Sequence, residues 1–270
     1  MRVLVTGGAG FIGTNLIKRL LDDGHRVVSL DNYSTGLKEN EIEQKGVHYF
    51  DVDLTEIVDY DSFIDNPDVI FHLAAIARIQ PSFEHPVYTH HSNVTATLNI
   101  LEWARDKKCP LVFAGSSSSN GDKFANPYTL SKSQSEQLVQ MYNKIYNLPT
   151  TICRFYNVYG PHQLTEGEYC TLIGIFEKLY YEGKPLTITG DGEQRRDFTH
   201  VDDIVDGLIK VGNHYFDECN IFELGRGKNY SVNEIAKAFG ENYPTKYIDK
   251  KLGEMRETLC SDKTATQLLG

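Results

Sequence analysis

Short, nearly continuous apolar segments alternate with longer segments of helical periodicity over more than half of the chain. Strands that are buried on both faces of a parallel sheet show such continuous runs rather than an alternating pattern. The runs lie at residues 2–5, 26–30, 47–54, 68–75, 110–116 and 150–155. Helical spacing is found between them, at residues 13–24, 94–108 and 128–146. This alternation predicts right-handed βαβ units and therefore an α/β fold with a doubly wound parallel sheet.

The regular alternation loosens after residue 157. Shorter candidate elements follow at residues 185–198, 201–212 and 231–240. We expect them to form a smaller C-terminal substrate-binding lobe over the carboxyl ends of the strands, where ligands bind in such sheets. The predicted division is a nucleotide-binding domain at 1–156 and a lobe at 157–270 that partly returns to the sheet.

Composition excludes several classes of function. The 270 residues carry a net charge of −10 without a run of like charges, which argues against a nucleic-acid partner or an anionic membrane surface. The N-terminus lacks a signal-peptide layout, and no apolar window reaches the length of a membrane span. Five scattered cysteines without a C-x-x-C pair indicate reduced thiols in a cytoplasmic protein. The histidines show no ligand spacing, so we expect no metal.

A glycine-rich turn, VLVTGGAGFIG, joins the first strand to the first helix. Gly7 suits the tight turn, Gly10 leaves bare backbone for a pyrophosphate, and Gly13 allows close packing of the helix on the strand. Asp31 ends the second strand, where a carboxylate accepts hydrogen bonds from ribose hydroxyls and repels a 2′-phosphate. Asn32 and its neighbour supply no compensating arginine. The motif predicts a Rossmann-like domain that binds NAD rather than NADP.

The spacing T-G-G-x-G-x-x-G and a later Y-x-x-x-K resemble the extended short-chain dehydrogenase/reductase family. The branch that matches is that of the NAD-dependent nucleotide-sugar epimerases and dehydratases. Further matches, in order along the chain, are DVDL, HLAA, YTLSK, RFYNVYGP, GDGEQRRDFTHVDDIVDG and GRGKNYSVNEIA. The resemblance implies NAD as cofactor, a nucleotide sugar as substrate, with UDP-linked hexoses as the expected class, and a homodimer formed through the helices at 94–108 and 128–146.

The resemblance also implies a set of cofactor contacts. They are Gly7, Gly10, Phe11, Ile12, Gly13, Asp31, Asn32, Asp53, Leu54, Leu73, Ala74, Ala75, Asn93, Tyr128, Lys132 and Tyr156.

The catalytic prediction is Ser116, Tyr128 and Lys132. Tyr128 and Lys132 are four residues apart and share one helix face. An adjacent ammonium, together with a positively charged nicotinamide ring, favours the phenolate and lets a tyrosine act as a base near neutral pH. Ser116 ends a predicted strand and aligns with the family's catalytic serine, and Ser117 is the second choice.

The segment between that serine and Tyr128 departs from the family pattern. Ser119 and Asn120 replace a Val-Tyr pair, and only residues 122–127 separate Gly121 from Tyr128. We expect one wall of the sugar pocket to be open or altered.

The predicted substrate contacts are Arg78, Ser117, Asn157, Arg196 and Lys251. Asn157 and Arg196 match family positions that contact the diphosphate, and an arginine can bridge two phosphate oxygens. Lys251 stands where the family usually has arginine. Thr258 falls where 4-epimerases vary a side chain that limits the size of the sugar.

The expected activity is reversible 4-epimerisation of a UDP-hexose through a 4-keto sugar, an isomerase reaction. The dehydratases of the family carry T-D-E at the strand end, whereas this chain has serines at 116–118 and no carboxylate to drive elimination. Two alternatives remain open: another NAD-dependent conversion of a nucleotide sugar (decarboxylation, dehydration or reduction), or NAD binding without turnover. The chain also ends before its relatives do, and we expect a short closing segment in the smaller lobe.

Overall fold

The computed structural model describes residues 1–214, 216, 218–253 and 255–269. Its strands are β1 (Arg2–Thr6), β2 (Arg26–Asp31), β3 (Val47–Asp51), β4 (Val69–His72), β5 (Leu111–Ser116), β6 (Thr150–Phe155), β7 (Val158–Tyr159), β8 (Leu186–Thr189), β9 (Arg195–Asp197), β10 (Thr199–His200), β11 (Asn220–Leu224), β12 (Asn229–Ser231) and β13 (Thr245–Ile248). Its α-helices are α1 (Phe11–Asp22), α2 (Ile79–Glu84), α3 (Pro86–His90), α4 (Ala96–Lys107), α5 (Pro127–Tyr146), α6 (Leu172–Tyr181), α7 (Val201–Gly212), α8 (Val232–Ala238) and α9 (Thr264–Leu269).

Seven parallel strands form the central sheet, in the order β11-β6-β5-β4-β1-β2-β3. The six strands predicted from the apolar runs are all present in this sheet. The strand order reverses between β1 and β4, and ligands bind at such a switch point in doubly wound sheets. The predicted fold class, an α/β Rossmann-like doubly wound sheet, is confirmed.

Helices cover both faces of the sheet, as the continuous apolar strands require. On one face α1 and α7 pack in a buried cluster that contains Leu16, Ile17 and Leu208. On the other face α4 and α5 pack in a cluster that contains Ile100 and Val139. Both faces of the strands are therefore excluded from water, and the polar edge at the carboxyl ends is left for a ligand.

Helix α5 begins through local sequence signals. The side chain of Asn126 accepts a hydrogen bond from Thr129 N at 2.8 Å and caps the helix. Pro127 occupies the first helical position, where a missing N–H costs no hydrogen bond. These two residues fix Tyr128 in the first turn and Lys132 one turn later on the same face.

The chain beyond residue 156 divides between the sheet and a separate cluster. Helix α7 packs on α1, and β11 pairs with β6 at the edge of the main sheet. A third apolar cluster, which includes Phe176, Ile188 and Val232, joins α6, β8 and α8. Three two-stranded sheets, β7–β10, β9–β12 and β8–β13, accompany it.

No helix within the described ranges is long and apolar enough to cross a membrane. The same residues contain no cluster of three or more His, Cys, Asp or Glu side chains that could hold a metal ion. All five cysteines are free thiols.

Candidate active site

A cleft of about 720 Å³ runs from the glycine turn along the carboxyl ends of the strands to the C-terminal elements. Most of the predicted site residues line it: Gly7, Gly10, Phe11, Ile12, Gly13, Asp31, Asn32, Asp53, Leu54, Leu73, Ala74, Ala75, Arg78, Ser116, Ser117, Tyr128, Lys132, Asn157, Arg196 and Lys251. The cleft also includes residues that the sequence did not single out, among them Asn40, Ser118, Tyr169 and Met255.

The glycine turn depends on backbone without side chains. Gly7 has φ +71°, and a Cβ there would lie 2.8 Å from Ala74 N. A Cβ on Gly13 would lie 2.1 Å from Gly7 O, so only glycine lets α1 start this close to β1. At Gly10 a Cβ would meet only Gly7 O, at 3.2 Å. Gly8, which lies outside the predicted glycine positions of the turn, is also constrained, because a Cβ would lie 2.2 Å from Ser29 Oγ.

Asp31 supports this turn from the end of β2. Its carboxylate accepts hydrogen bonds from Ala9 N at 2.9 Å and Tyr33 N at 2.8 Å. Burial raises the pKa of Asp31, and the two backbone donors oppose that shift. Carboxylate oxygens accept more than one hydrogen bond each, so Asp31 retains acceptor capacity toward the cleft that it lines.

Tyr128 and Ser116 form the polar centre of the cleft. The Tyr128 hydroxyl donates to Ser116 Oγ at 3.3 Å, and Ser116 Oγ lies 2.8 Å from Ser118 Oγ. The same Ser116 oxygen accepts from Ser118 N at 3.3 Å. Three hydroxyls thus form one chain beside the glycine turn, which is an arrangement that can hold a substrate hydroxyl and move its proton.

The expected action of Lys132 on the Tyr128 phenol stays a prediction, because the amine has another hydrogen-bond partner in the structure. Lys132 Nζ donates instead to Ala114 O at 2.6 Å and lies 4.3 Å from the centre of the Phe113 ring. Burial raises the pKa of Tyr128, while the hydrogen bond with Ser116 and the charge of Arg78 oppose this. Burial also lowers the pKa of Lys132 to about 8. The sequence could not show that a carbonyl at the end of β5 takes the amine.

Arg78 is a second cation in the lining of the cleft. Its Nε donates to Tyr169 O at 2.7 Å and its Nη1 to Ala77 O at 3.2 Å. Throughout the ranges that the structure describes, it forms no ion pair with a carboxylate. The half-buried guanidinium is therefore available to an anionic group of a ligand.

Three of the predicted substrate residues, Asn157, Arg196 and Lys251, lie on the C-terminal side of the cleft. Asn157 Nδ2 donates to Asp197 O at 3.1 Å and to Thr258 Oγ1 at 3.0 Å. Arg196 and Lys251 line the same side. The adjacent Arg195 is instead held by Asn229 and Glu234.

Two predicted cofactor contacts do not reach the cleft lining. Asn93 is buried, where its amide bonds Ile76 N, Ile76 O and Ser131 Oγ. The hydroxyl of Tyr156 donates to Glu223 Oε2 at 2.7 Å, behind the strand ends. Both side chains satisfy their polar atoms within the protein. A motif match alone could not distinguish such supporting positions from lining ones.

The residues that depart from the family pattern also turn away from the cleft. Ser116, Ser117 and Ser118 line it, but Ser119 and Asn120 do not. Met255 covers the short segment, since its Cε lies 3.1 Å from the position of a Cβ on Gly121. The pocket wall at this segment is therefore altered rather than open, because Met255 packs against it.

The cleft fits a dinucleotide by its own geometry. The glycine turn leaves a cradle that a Cβ would fill, the first residues of α1 line it, and Asp31 stands at the end of β2. Together with the Tyr128–Ser116 pair, these features define a Rossmann-type, dinucleotide-dependent enzyme. A sequence model of the NAD dependent epimerase/dehydratase family matches residues 3–225, and the chain belongs to that family, whose cofactor is NAD.

Known proteins similar to this chain have more than one activity. It is 33% identical to the UDP-glucose 4-epimerase of Mycolicibacterium smegmatis, over 100% of this chain and 93% of the relative. It is 31% identical to UDP-glucuronic acid decarboxylase 4 of Arabidopsis thaliana, over 89% of this chain and 57% of the relative. The structure of UDP-glucose 4-epimerase from Thermus thermophilus in complex with NAD superimposes with a TM-score of 0.88 at 29% identity, covering 99% of this chain and 92% of the other.

Proposed function

We propose that this protein is an NAD-dependent UDP-sugar 4-epimerase. The observation that carries the proposal is the hydrogen bond from Tyr128 to Ser116, which lies in the cleft beside the glycine turn. A phenol at this place can take the proton of a sugar hydroxyl and return it. NAD, when bound, supplies the reversible oxidation of the carbon that carries this hydroxyl.

Each residue in the proposed reaction has a limited task. Ser116 orients the C4 hydroxyl and shares its proton, and Tyr128 accepts that proton as the C4 carbonyl forms. Inversion requires that the 4-keto sugar presents its other face before C4 is reduced again. Tyr128 then returns the proton to the new C4 hydroxyl. Lys132, held by Ala114 O, contributes positive charge below the site.

Other features of the cleft support epimerisation over elimination. Ser117 and Ser118 stand where the dehydratases of the family carry carboxylates, so no acidic side chain at this strand end can remove a proton from C5. Arg196, Lys251 and Asn157 are the proposed diphosphate contacts, because cationic and amide donors suit phosphate oxygens. The proposed substrate is thus held firmly by its nucleotide and loosely by its sugar.

Decarboxylation of a UDP-uronate is the second candidate, and Arg78 is the observation that favours it. A carboxylate on C5 lies next to C4 in a uronate. Its proposed contact is Arg78, whose charge acts on Tyr128 and which forms no ion pair among the described residues. Oxidation at C4 makes a carboxylate at C5 labile, so the same Tyr128 chemistry serves both reactions.

One incubation tests the two candidates together. The purified protein is mixed separately with UDP-galactose, UDP-N-acetylgalactosamine and UDP-glucuronate, and the sugars are analysed. We expect inversion at C4 in at least one of the three. Release of carbon dioxide with a UDP-pentose would replace epimerisation by decarboxylation, whereas absence of any product would leave NAD binding without turnover.

The proposal includes a cytoplasmic homodimer formed through α4 and α5. Leu98 on α4 and Ile145 on α5 expose 39% and 60% of their surface, although both are apolar. Sedimentation velocity tests this part of the proposal: a monomer at micromolar concentration contradicts it.

A further inference from the structure

A buried network of charges lies directly behind the turn that carries Ser116. Glu136 of α5 accepts hydrogen bonds from Arg154 of β6, at 2.7 Å from Nη2 and 3.1 Å from Nε. Arg154 Nη1 also lies 3.6 Å from Glu223 Oε1 of β11. The side chains of Glu136, Arg154 and Glu223 are 5%, 17% and 13% exposed. Three separate elements are therefore joined by ionic contacts that solvent screens weakly.

Glu136 holds the catalytic turn with its second oxygen. Glu136 Oε1 accepts from Ser116 N at 3.2 Å and from Ser119 Oγ at 3.0 Å. The approach is possible because the residue before Ser116 is Gly115, where a Cβ would lie 2.9 Å from this oxygen. The Glu136 carboxylate thus connects the Arg154 guanidinium to the backbone N–H of Ser116. Ser116 is the residue whose Oγ accepts the hydrogen bond from the Tyr128 hydroxyl.

Asn120 attaches the other end of the same turn. Its Nδ2 donates to Tyr156 OH at 2.9 Å and to Glu223 Oε1 at 2.5 Å, and its Oδ1 accepts from Arg154 Nη1. The turn Ser117–Asn120 is therefore fixed at Ser119 and at Asn120 by the network. These are the two residues that depart from the family pattern.

We propose that Glu136 is a positioning residue that holds Ser116 within hydrogen-bond distance of Tyr128, and that Ser119 and Asn120 serve this support rather than the sugar pocket. The proposal rests on the proposed function, since it concerns the same Tyr128 chemistry. Glu136 itself touches neither the cleft nor the reacting atoms.

The charge of Glu136 gives the proposal a signature beyond packing. The charged groups that shift the pKa of the Tyr128 phenol are Arg78, from the segment before α2, and Glu136, from α5 itself, and Lys132 of α5 lines the same cleft. The negative charge of Glu136 raises the pKa of Tyr128, and the charge of Arg78 lowers it. Removing the negative charge should therefore ease loss of the phenol proton, even where it also loosens the turn.

Four variants of the full chain separate these effects: Glu136→Ala, Glu136→Gln, Ser119→Ala and the control Glu102→Gln. Glu102 also pairs with an arginine and a tyrosine, Arg105 and Tyr142, but on the outer side of α4. The measurements are kcat and KM against pH with whichever of the three UDP-sugars the unmodified protein converts, the Kd for NAD, and thermal unfolding.

For Glu136→Ala we expect kcat to fall about 100-fold with KM and the Kd for NAD little changed, because loss of position acts mainly on the chemical step. Glu136→Gln keeps part of the hydrogen bonding, so its kcat should fall about 10-fold, and the acidic limb of its kcat profile should move to lower pH. Ser119→Ala, which changes no charge, should lower kcat about threefold without moving the limb. Glu102→Gln should behave as the unmodified protein.

If Glu136→Gln is folded and its kcat and pH profile are unchanged, the proposal is overturned. It is also overturned if Glu136→Gln and the control Glu102→Gln lose kcat equally. If Glu136→Ala does not fold, Glu136→Gln and Ser119→Ala decide. If the unmodified protein shows no turnover, the proposed function fails separately. Crystal structures then test the positioning alone: retention of the 3.3 Å Tyr128–Ser116 contact in Glu136→Gln overturns it, and its loss supports it.

Discussion

The ammonium group of Lys132 donates a hydrogen bond to the carbonyl oxygen of Ala114 over 2.6 Å, within β5 and two residues before Ser116. This contact keeps a positive charge under the cleft at a cost, because Lys132 is only 4% exposed. Burial lowers the pKa of Lys132 to about 8, well below its ordinary value.

The unfolding stability should therefore depend on pH through Lys132. Between about pH 8 and pH 10.5 the unfolded chain binds more protons at this amine than the folded protein does, so stability rises with pH. We expect the unfolding free energy of the unmodified protein, relative to Lys132→Met, to stay constant below pH 7. It should then increase by about 2–3 kcal/mol toward pH 10. Urea unfolding of both proteins across this range measures the difference, and a flat difference contradicts the assignment.

Replacing Tyr128 by Phe removes the proposed base while keeping the ring. We expect kcat to fall at least about 1,000-fold, with NAD still bound, because the hydroxyl is the only part of the side chain that bonds Ser116. Product analysis and the absorbance of bound cofactor measure the two effects. Retained turnover would remove Tyr128 from the mechanism. Tyr142→Phe, which removes a hydroxyl that bonds Glu102 instead, is the matched control.

The sequence predicted the strands and most cleft residues because their signals are local. An apolar run forms a buried strand of the sheet. The glycine turn and the start of α5 at Asn126-Pro127 are each determined by residues only a few positions apart. The side-chain partners were less predictable. Whether Tyr156 meets the cofactor or Glu223 depends on β11, which is more than 60 residues away along the chain.

Lys132 and Glu136 show the same limit on α5. Their spacing places them one turn apart on one face, which sequence can show. Lys132 contacts a carbonyl of β5, whereas Glu136 contacts an arginine of β6, and the positions of these two strands determine the partners. A glutamate four residues after Lys132 was the available signal in the sequence for the Glu136 network.

Asp31 should determine both the strength and the selectivity of cofactor binding. Asp31→Ala removes the acceptor for Ala9 N and Tyr33 N as well as the negative charge at the end of β2. We expect the Kd for NAD to rise about 10- to 100-fold, and the preference for NAD over NADP to shrink, since a 2′-phosphate is no longer repelled. Asp31→Asn keeps the size of the side chain and should show mainly the loss of selectivity. Titration with both cofactors tests this, and an unchanged preference in both variants would show that the ribose lies elsewhere.

Gly7 and Gly24 offer a matched test of the glycine turn, because both have a left-handed backbone, with φ +71° and +79°. A Cβ at Gly24 has no neighbour within 4 Å, so Gly24→Ala should cost only the conformational penalty, about 1–2 kcal/mol of unfolding free energy. At Gly7 the Cβ would meet the Ala74 backbone at 2.8 Å, which adds about 1–3 kcal/mol because backbone yields poorly. Gly7→Ala should also weaken NAD binding, whereas Gly24→Ala should leave it unchanged. Equal effects of the two substitutions on stability and on NAD binding would mean that backbone conformation alone, and not the close approach of the Ala74 backbone, makes glycine necessary at the first position of the turn.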